Sequence, residues 1–132
     1  MKFKKFDKSQ RGHFDYYWNH LKAFNYVAKQ LGVWKFKYLF HDFEKPWLML
    51  FFLGNYPKVQ KWHRTHNSHH LEYNGEHDWE AMVIDWECSH YTKTNKTLLA
   101  IGEANRKLHD GEMDYNDYCK FIATAHKLGL TE

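Results

Sequence analysis

Apolar residues along this chain recur mostly at steps of three and four, and no stretch alternates apolar with polar for long, so the pattern predicts helices joined by short loops. Over residues 13–31, Phe14, Tyr17, Trp18, Leu21, Phe24, Ala28 and Leu31 make one broad face, ended by Gly32, with His20 on its edge. A second helix is expected over residues 34–43, carrying His41 and Asp42 near its C-terminal end and closed by Pro46. The uniformly apolar run 47–53 reads as a short buried helix or a packed loop, closed by Gly54, Asn55 and Pro57. Residues 58–70 form a third helix whose polar faces are crowded with histidine, before a turn at Asn74-Gly75. Residues 78–90 form a fourth, with Asp78 as N-cap and Trp79, Met82, Val83 and Trp86 as its buried stripe. Two more amphipathic helices, 95–109 and 114–128, flank Asp110-Gly111 and place Leu98, Leu99, Ile101, Leu108, Tyr118, Phe121, Ile122 and Ala125 in the core. Residues 1–11 read as an arm, with Ser9 or Gly12 near the start of the first helix. The expected class is all-α: one bundle of about five to six helices without internal repeats.

Composition narrows this picture. A chain of 132 residues fits one domain with a single core. Six Trp, nine Tyr and ten Phe predict a core rich in rings, rigid and crowded. The net charge of +3, from 19 basic and 16 acidic residues, is too mild to argue for nucleic acid, and no Arg/Lys-rich recognition face appears. The run 47–53 falls far short of the roughly 18 apolar residues that cross a bilayer. No apolar segment follows the basic N-terminus as a signal peptide requires, so a soluble, cytoplasmic protein is expected, with no membrane partner. Cys88 and Cys119 lack C-x-x-C spacing and read as half-buried small hydrophobes in a reducing compartment.

The candidate chemistry lies in histidines and carboxylates, the ligands that borderline and hard divalent metals accept. His63, His66 and His70 fall on one helical face, while His69 stands about 100° from His70 on an ideal helix. Both can reach one site only if the helix is ending there. Asp85 stands about 60° from Met82, beside an apolar stripe, where a carboxylate without a partner is costly to bury. A ligand role is favoured there over an ion pair. Each other candidate has an ordinary alternative: a helix-end cap for His41 and Asp42, and a hydrogen bond at the core rim for His20, with His13 as competitor on the same face. His63 could orient a ligand rather than be one, Lys45 could be solvated, and Asn67 could cap a helix as readily as touch substrate. His66 and Glu72 are not expected to be ligands, and His77, His90, His109 and His126 read as surface or core histidines.

In order, the chain gives His20, then His41-Asp42-Phe43-Glu44-Lys45, then His63-Arg64-Thr65-His66-Asn67-Ser68-His69-His70-Leu71-Glu72, then Asp85-Trp86. This order, in an all-α chain, resembles the HD-domain superfamily of metal-dependent phosphohydrolases. Within it the chain looks closest to an uncharacterised bacterial and phage group with the motifs H-D-x-S-K, H-x-x-x-N-x-H-H-x-E and D-W. Glu44 departs by standing at the Ser position. Elements of the HD-type cyclic-dinucleotide phosphodiesterases are also present, but their Gly-Tyr-Pro is missing after Gly75, which speaks against that substrate. The resemblance implies that His20, His41, Asp42 and Asp85 hold a first metal, and that some of His63, His69 and His70 hold a second or bind a phosphate oxygen. Asp42 and Lys45 would then be catalytic, with Lys45 and Asn67 toward substrate. Mixed nitrogen and oxygen ligation suits Mn, Fe, Ni, Co or Zn, as one or two ions. The expected activity is hydrolysis of a small phosphorylated substrate, a nucleotide foremost. The alternative is a catalytically silent module of the same fold that binds a ligand or a protein, as in phage–host conflict.

Overall fold

Among the described residues, 13–93 and 95–131 of a computed structural model, the chain forms six α-helices and no strand. They are α1 (His13–Gln30), α2 (Glu44–Phe51), α3 (Tyr56–His66), α4 (Trp79–Thr92), α5 (Ala100–His109) and α6 (Tyr115–Lys127), with a short 3-10 helix, Phe36–Phe40, between α1 and α2. The expected arm, with Ser9 and Gly12, lies outside the described residues, as do the side chains of His13 and Phe14.

Helix α4 is the axis, and its sequence explains why. Ala81, Met82, Val83, Ile84 and Cys88 are apolar on most sides, and Asp85, Glu87, Ser89 and Thr92 are buried among them. A helix apolar nearly all round must be packed nearly all round. Accordingly α1 lies against it, and so do α5 and α6, which also pack on each other. The Asp78 carboxylate starts the helix, accepting the Ala81 N–H at 3.1 Å. No helix among the described residues is long and apolar enough to cross a membrane.

The core departs from the ring-rich expectation. Its aromatic members are Phe24, Phe121 and Tyr38, whereas Ala23, Ala28, Ala81, Ala100, Ala104 and Ala125 recur throughout it. Alanine at helix crossings lets backbones approach closely and leaves no volume for rings. Many rings therefore lie outside: Trp18, Phe36, Phe43, Trp47 and Phe51 are all more than half exposed. Leu98 is 39% exposed rather than in the core, and α5 begins only at Ala100 rather than at residue 95. Cys88 is fully buried and Cys119 exposed, so the two thiols are not alike.

The second expected helix is the largest correction. Residues 36–40 form only a 3-10 turn, the chain bends at His41-Asp42-Phe43, and α2 starts at Glu44. Pro46 opens this helix rather than closing the previous one, because the first four N–H groups of a helix have no intrahelical acceptor and a missing one costs nothing there. The run 47–53 is largely helical but not buried, with Leu50 69% and Leu53 94% exposed. Helices α2 and α3 pack on each other as a hairpin, and neither contributes a residue to the main core.

Glu87 joins α4 to α5. It is buried, and its carboxylate accepts the Ala100 N–H at 2.9 Å, serving the start of a helix whose N-cap, Leu99, has no side-chain acceptor. Burial pushes its pKa up, and the Ala100 hydrogen bond only partly opposes this. Glu87→Ala, which orphans a buried donor, is expected to cost about 1–3 kcal/mol in urea unfolding. Glu87→Gln, keeping the acceptor without the charge, should stay within about 1 kcal/mol of wild type. Equal destabilisation by both would remove the cap role.

Candidate metal centre

Four segments converge on one buried place between α1, α4 and the α2–α3 hairpin. His20 comes from the buried stripe of α1, one turn before Phe24 and two before Val27, and is 2% exposed. His41 and Asp42 come from the bend before α2. Asp42 has φ 58°, a left-handed conformation that Asp tolerates better than most residues. The bend turns both side chains inward, and the His41 ring is stacked on Phe24 at 3.7 Å. Asp85 comes from the middle of α4.

These four make the first group. His20 Nε2 lies 2.7 Å and His41 Nε2 3.0 Å from Asp85 Oδ1. Asp42 Oδ2 lies 3.4 Å from His41 Nε2 and 3.7 Å from His20 Nε2. Each residue offers one donor atom, all within 4.8 Å of one another. His63, His69 and His70 meet the same criterion as a second group. Helix α3 stops at His66 and Asn67 is extended, so His69 and His70 follow in turns and both reach inward. His66 stays outside, stacked on Trp62 at 4.0 Å.

Asp42 stands between the groups. Its Oδ1 lies 3.0 Å from His63 Nε2 and 3.1 Å from His69 Nε2. Yet these three atoms, and His70 Nε2, are buried without a hydrogen bond. The short separations and the missing hydrogen bonds agree if the atoms converge on a common point instead of on one another. Buried polar atoms rarely go unsatisfied, and four together call for a ligand that accepts lone pairs. That fits a cation.

The tautomer of His63 supports this. Its Nδ1 is bonded to Glu44 Oε1, which also accepts the Asn67 side-chain N–H at 2.9 Å. In the neutral ring the proton then sits on Nδ1 and the Nε2 lone pair faces Asp42. A carboxylate behind a histidine is the usual way to orient a metal-binding imidazole. The role of Glu44 could not be assigned from the sequence, and the structure gives it one. Asn67 spends its amide here and on the His63 carbonyl at 2.7 Å. Lys45 Nζ is 3.4 Å from Asp42 Oδ2, at the edge of the centre.

The electrostatics follow from burial against close charge. Burial pushes the Asp42 carboxyl up, but His41, Lys45 and His63 more than offset it and hold it well below the usual range. Asp85 is held down likewise against burial by His20 and His41. Burial keeps His41 neutral despite Asp42 and Asp85. His70 is lowered to about 2, by burial first and His69 second. His63 goes up, since Asp42 and Glu44 outweigh its burial. Asp42 and Asp85 ionised, with His41 and His70 neutral, are in the forms that bind metal, whereas His63 must give up a proton to join them.

Comparison with protein-family models, with curated proteins and with solved structures finds no match to this chain. The site is thus read from its own geometry. His70 and Asp85 also line a cavity of about 250 Å³. Arg64, Lys93 and Lys107 share its wall, and the sequence pattern had singled out none of them.

Proposed function

We propose that this chain is a metal-dependent phosphohydrolase of the HD type, hydrolysing a small phosphate ester. The observation that carries the reading is the set of orphaned donor atoms around Asp42, flanked by two ligand groups. His20, His41, Asp42 and Asp85 would hold one divalent ion, and His63, His69 and His70, with Asp42 shared, a second. Such ions lower the pKa of bound water to about 7 and neutralise phosphoryl oxygens. The chain's own contribution is placement. Asp42 presents one carboxylate oxygen to each group, and Glu44 fixes the His63 ring. Lys45, a cation beside Asp42, is placed to receive a phosphate oxygen. The adjoining hollow of Tyr16, Tyr17, Pro46, Met49, Tyr56 and Val59 holds only about 20 Å³, room for a water-sized group and not for a base. A nucleotide as substrate therefore rests on the resemblance alone.

The test is elemental analysis of untagged protein purified without added metal, followed by turnover of p-nitrophenyl phosphate and bis(p-nitrophenyl) phosphate with Mn²⁺. Bound transition metal and turnover, both lost in Asp85→Asn, are expected. Metal retained without turnover of either ester would shift the reading to a silent binding module. A protein that stays metal-free after incubation with Mn²⁺, Fe²⁺ and Zn²⁺ would end it.

A further inference from the structure

We propose that the cavity beside the metal centre is an anion subsite, built by Lys93, Arg64 and Lys107, which takes a second phosphate of the substrate. This rests on the phosphohydrolase reading and deepens it: the substrate class becomes small molecules with at least two phosphate groups. The cavity, about 250 Å³, is lined by Asp85 and His70 of the candidate centre and by these three cations. A water occupies about 30 Å³ of liquid, so a phosphate and its linker fit.

The charges in the wall do not cancel. Glu103 and Glu112 are engaged by Arg106 at 2.9 and 2.6 Å, and Lys96 reaches Glu103 at 4.0 Å. The other acids there are Glu72, whose residue is exposed, and Asp85, whose Oδ1 lies 2.7 and 3.0 Å from His20 and His41, so five cations face four carboxylates. Among the described residues Arg64, Lys93 and Lys107 form no ion pair with a carboxylate. Lys107 lies over the Trp86 ring at 5.5 Å. Lys93, directly after α4, is half-buried with its Nζ 5.2 Å from the Tyr16 ring centre. Lys45 lies 5.9 Å from the same ring, which stacks on His20 at 5.5 Å. One ring thus separates Lys93 from a metal-ligand candidate. An ammonium drawn from water without a carboxylate is costly, and an anion offsets that cost.

The test is calorimetric titration of the full chain, stripped of metal and at low salt, with inorganic tripolyphosphate. Wild type is expected to bind, with Lys93→Met weakening binding by roughly tenfold or more, as loss of a charge-assisted hydrogen bond does. Arg64→Gln, at an exposed position where the fold is not at risk, should weaken it measurably. No binding by wild type, or equal binding by both variants, overturns the subsite. Metal content of the same proteins before stripping separates the two readings. Metal held without tripolyphosphate binding removes the subsite and leaves the hydrolase. Tripolyphosphate bound in a protein that never takes metal sinks the hydrolase and supports the anion site alone.

Discussion

Asp42→Asn is expected to leave the purified chain without metal while the helices remain folded. Asp42 faces both candidate ligand groups with a carboxylate oxygen each, Oδ2 toward His20 and His41 and Oδ1 toward His63 and His69. Losing its charge removes a ligand from each group at once, so affinity should fall by more than the roughly 10–100-fold caused by losing an orienting partner. The choice of Asn matters. At φ 58° Asn is tolerated, whereas Ala adds about 1–2 kcal/mol of backbone strain that would confuse ligand loss with misfolding. Elemental analysis and far-UV circular dichroism decide the matter. Unchanged metal content in a folded Asp42→Asn protein would show that the centre does not depend on this carboxylate.

Acid should destabilise the metal-stripped protein well before its carboxylates protonate. His41 and His70 are held neutral in the fold, His70 down to about 2, and both take up protons once unfolded. Below the unfolded value of about 6.5 the unfolded chain then binds more protons than the native one, so stability falls as pH falls. Each group contributes up to about 1.4 kcal/mol per pH unit in that window. His63 acts oppositely: its raised pKa gives stability fully present below about pH 6.5 and lost as pH rises through its folded value. Asp42 and Asp85, held well below the ordinary range, lose their contribution only when pH drops through those low values. Urea unfolding between about pH 7 and pH 5 should show a steady decline. Added Mn²⁺ should raise stability most at the neutral end, because its ligands must be deprotonated. A flat profile in the stripped protein would mean that these imidazoles are not buried neutral.

The convergence of His20, His41, Asp42 and Asp85 was legible because His and Asp beside apolar stripes are costly without a partner, and Asp85 and His20 could be placed on their helices by spacing alone. The apolar periodicity likewise gave the all-α class and α4 with its Asp78 cap. What spacing could not give was how helices end. An unbroken helix through residue 70 would set His69 and His70 about 100° apart. The break at Asn67 releases both. Pro46 read as a stop because proline breaks helices, yet its place in the first turn makes it a start. The abundance of rings misled for a related reason: alanine decides how close helices come, and the rings are displaced outward. The cationic wall was invisible because Arg64, Lys93 and Lys107 belong to different segments, and each alone reads as a solvated charge.

The hairpin of α2 and α3 shares no residue with the main core; Lys45 and His63 tie it to Asp42, and Met49 and Val59 share a small hollow with Tyr16 and Tyr17 of α1. The protein therefore has two grades of solidity: a bundle set by one apolar core, and an appended pair of helices held beside a His/Asp cluster that could hold a metal ion. Under the metal reading, scarcity of the ion would do more than idle the chemistry. It would loosen one wall of the chamber in which that chemistry takes place.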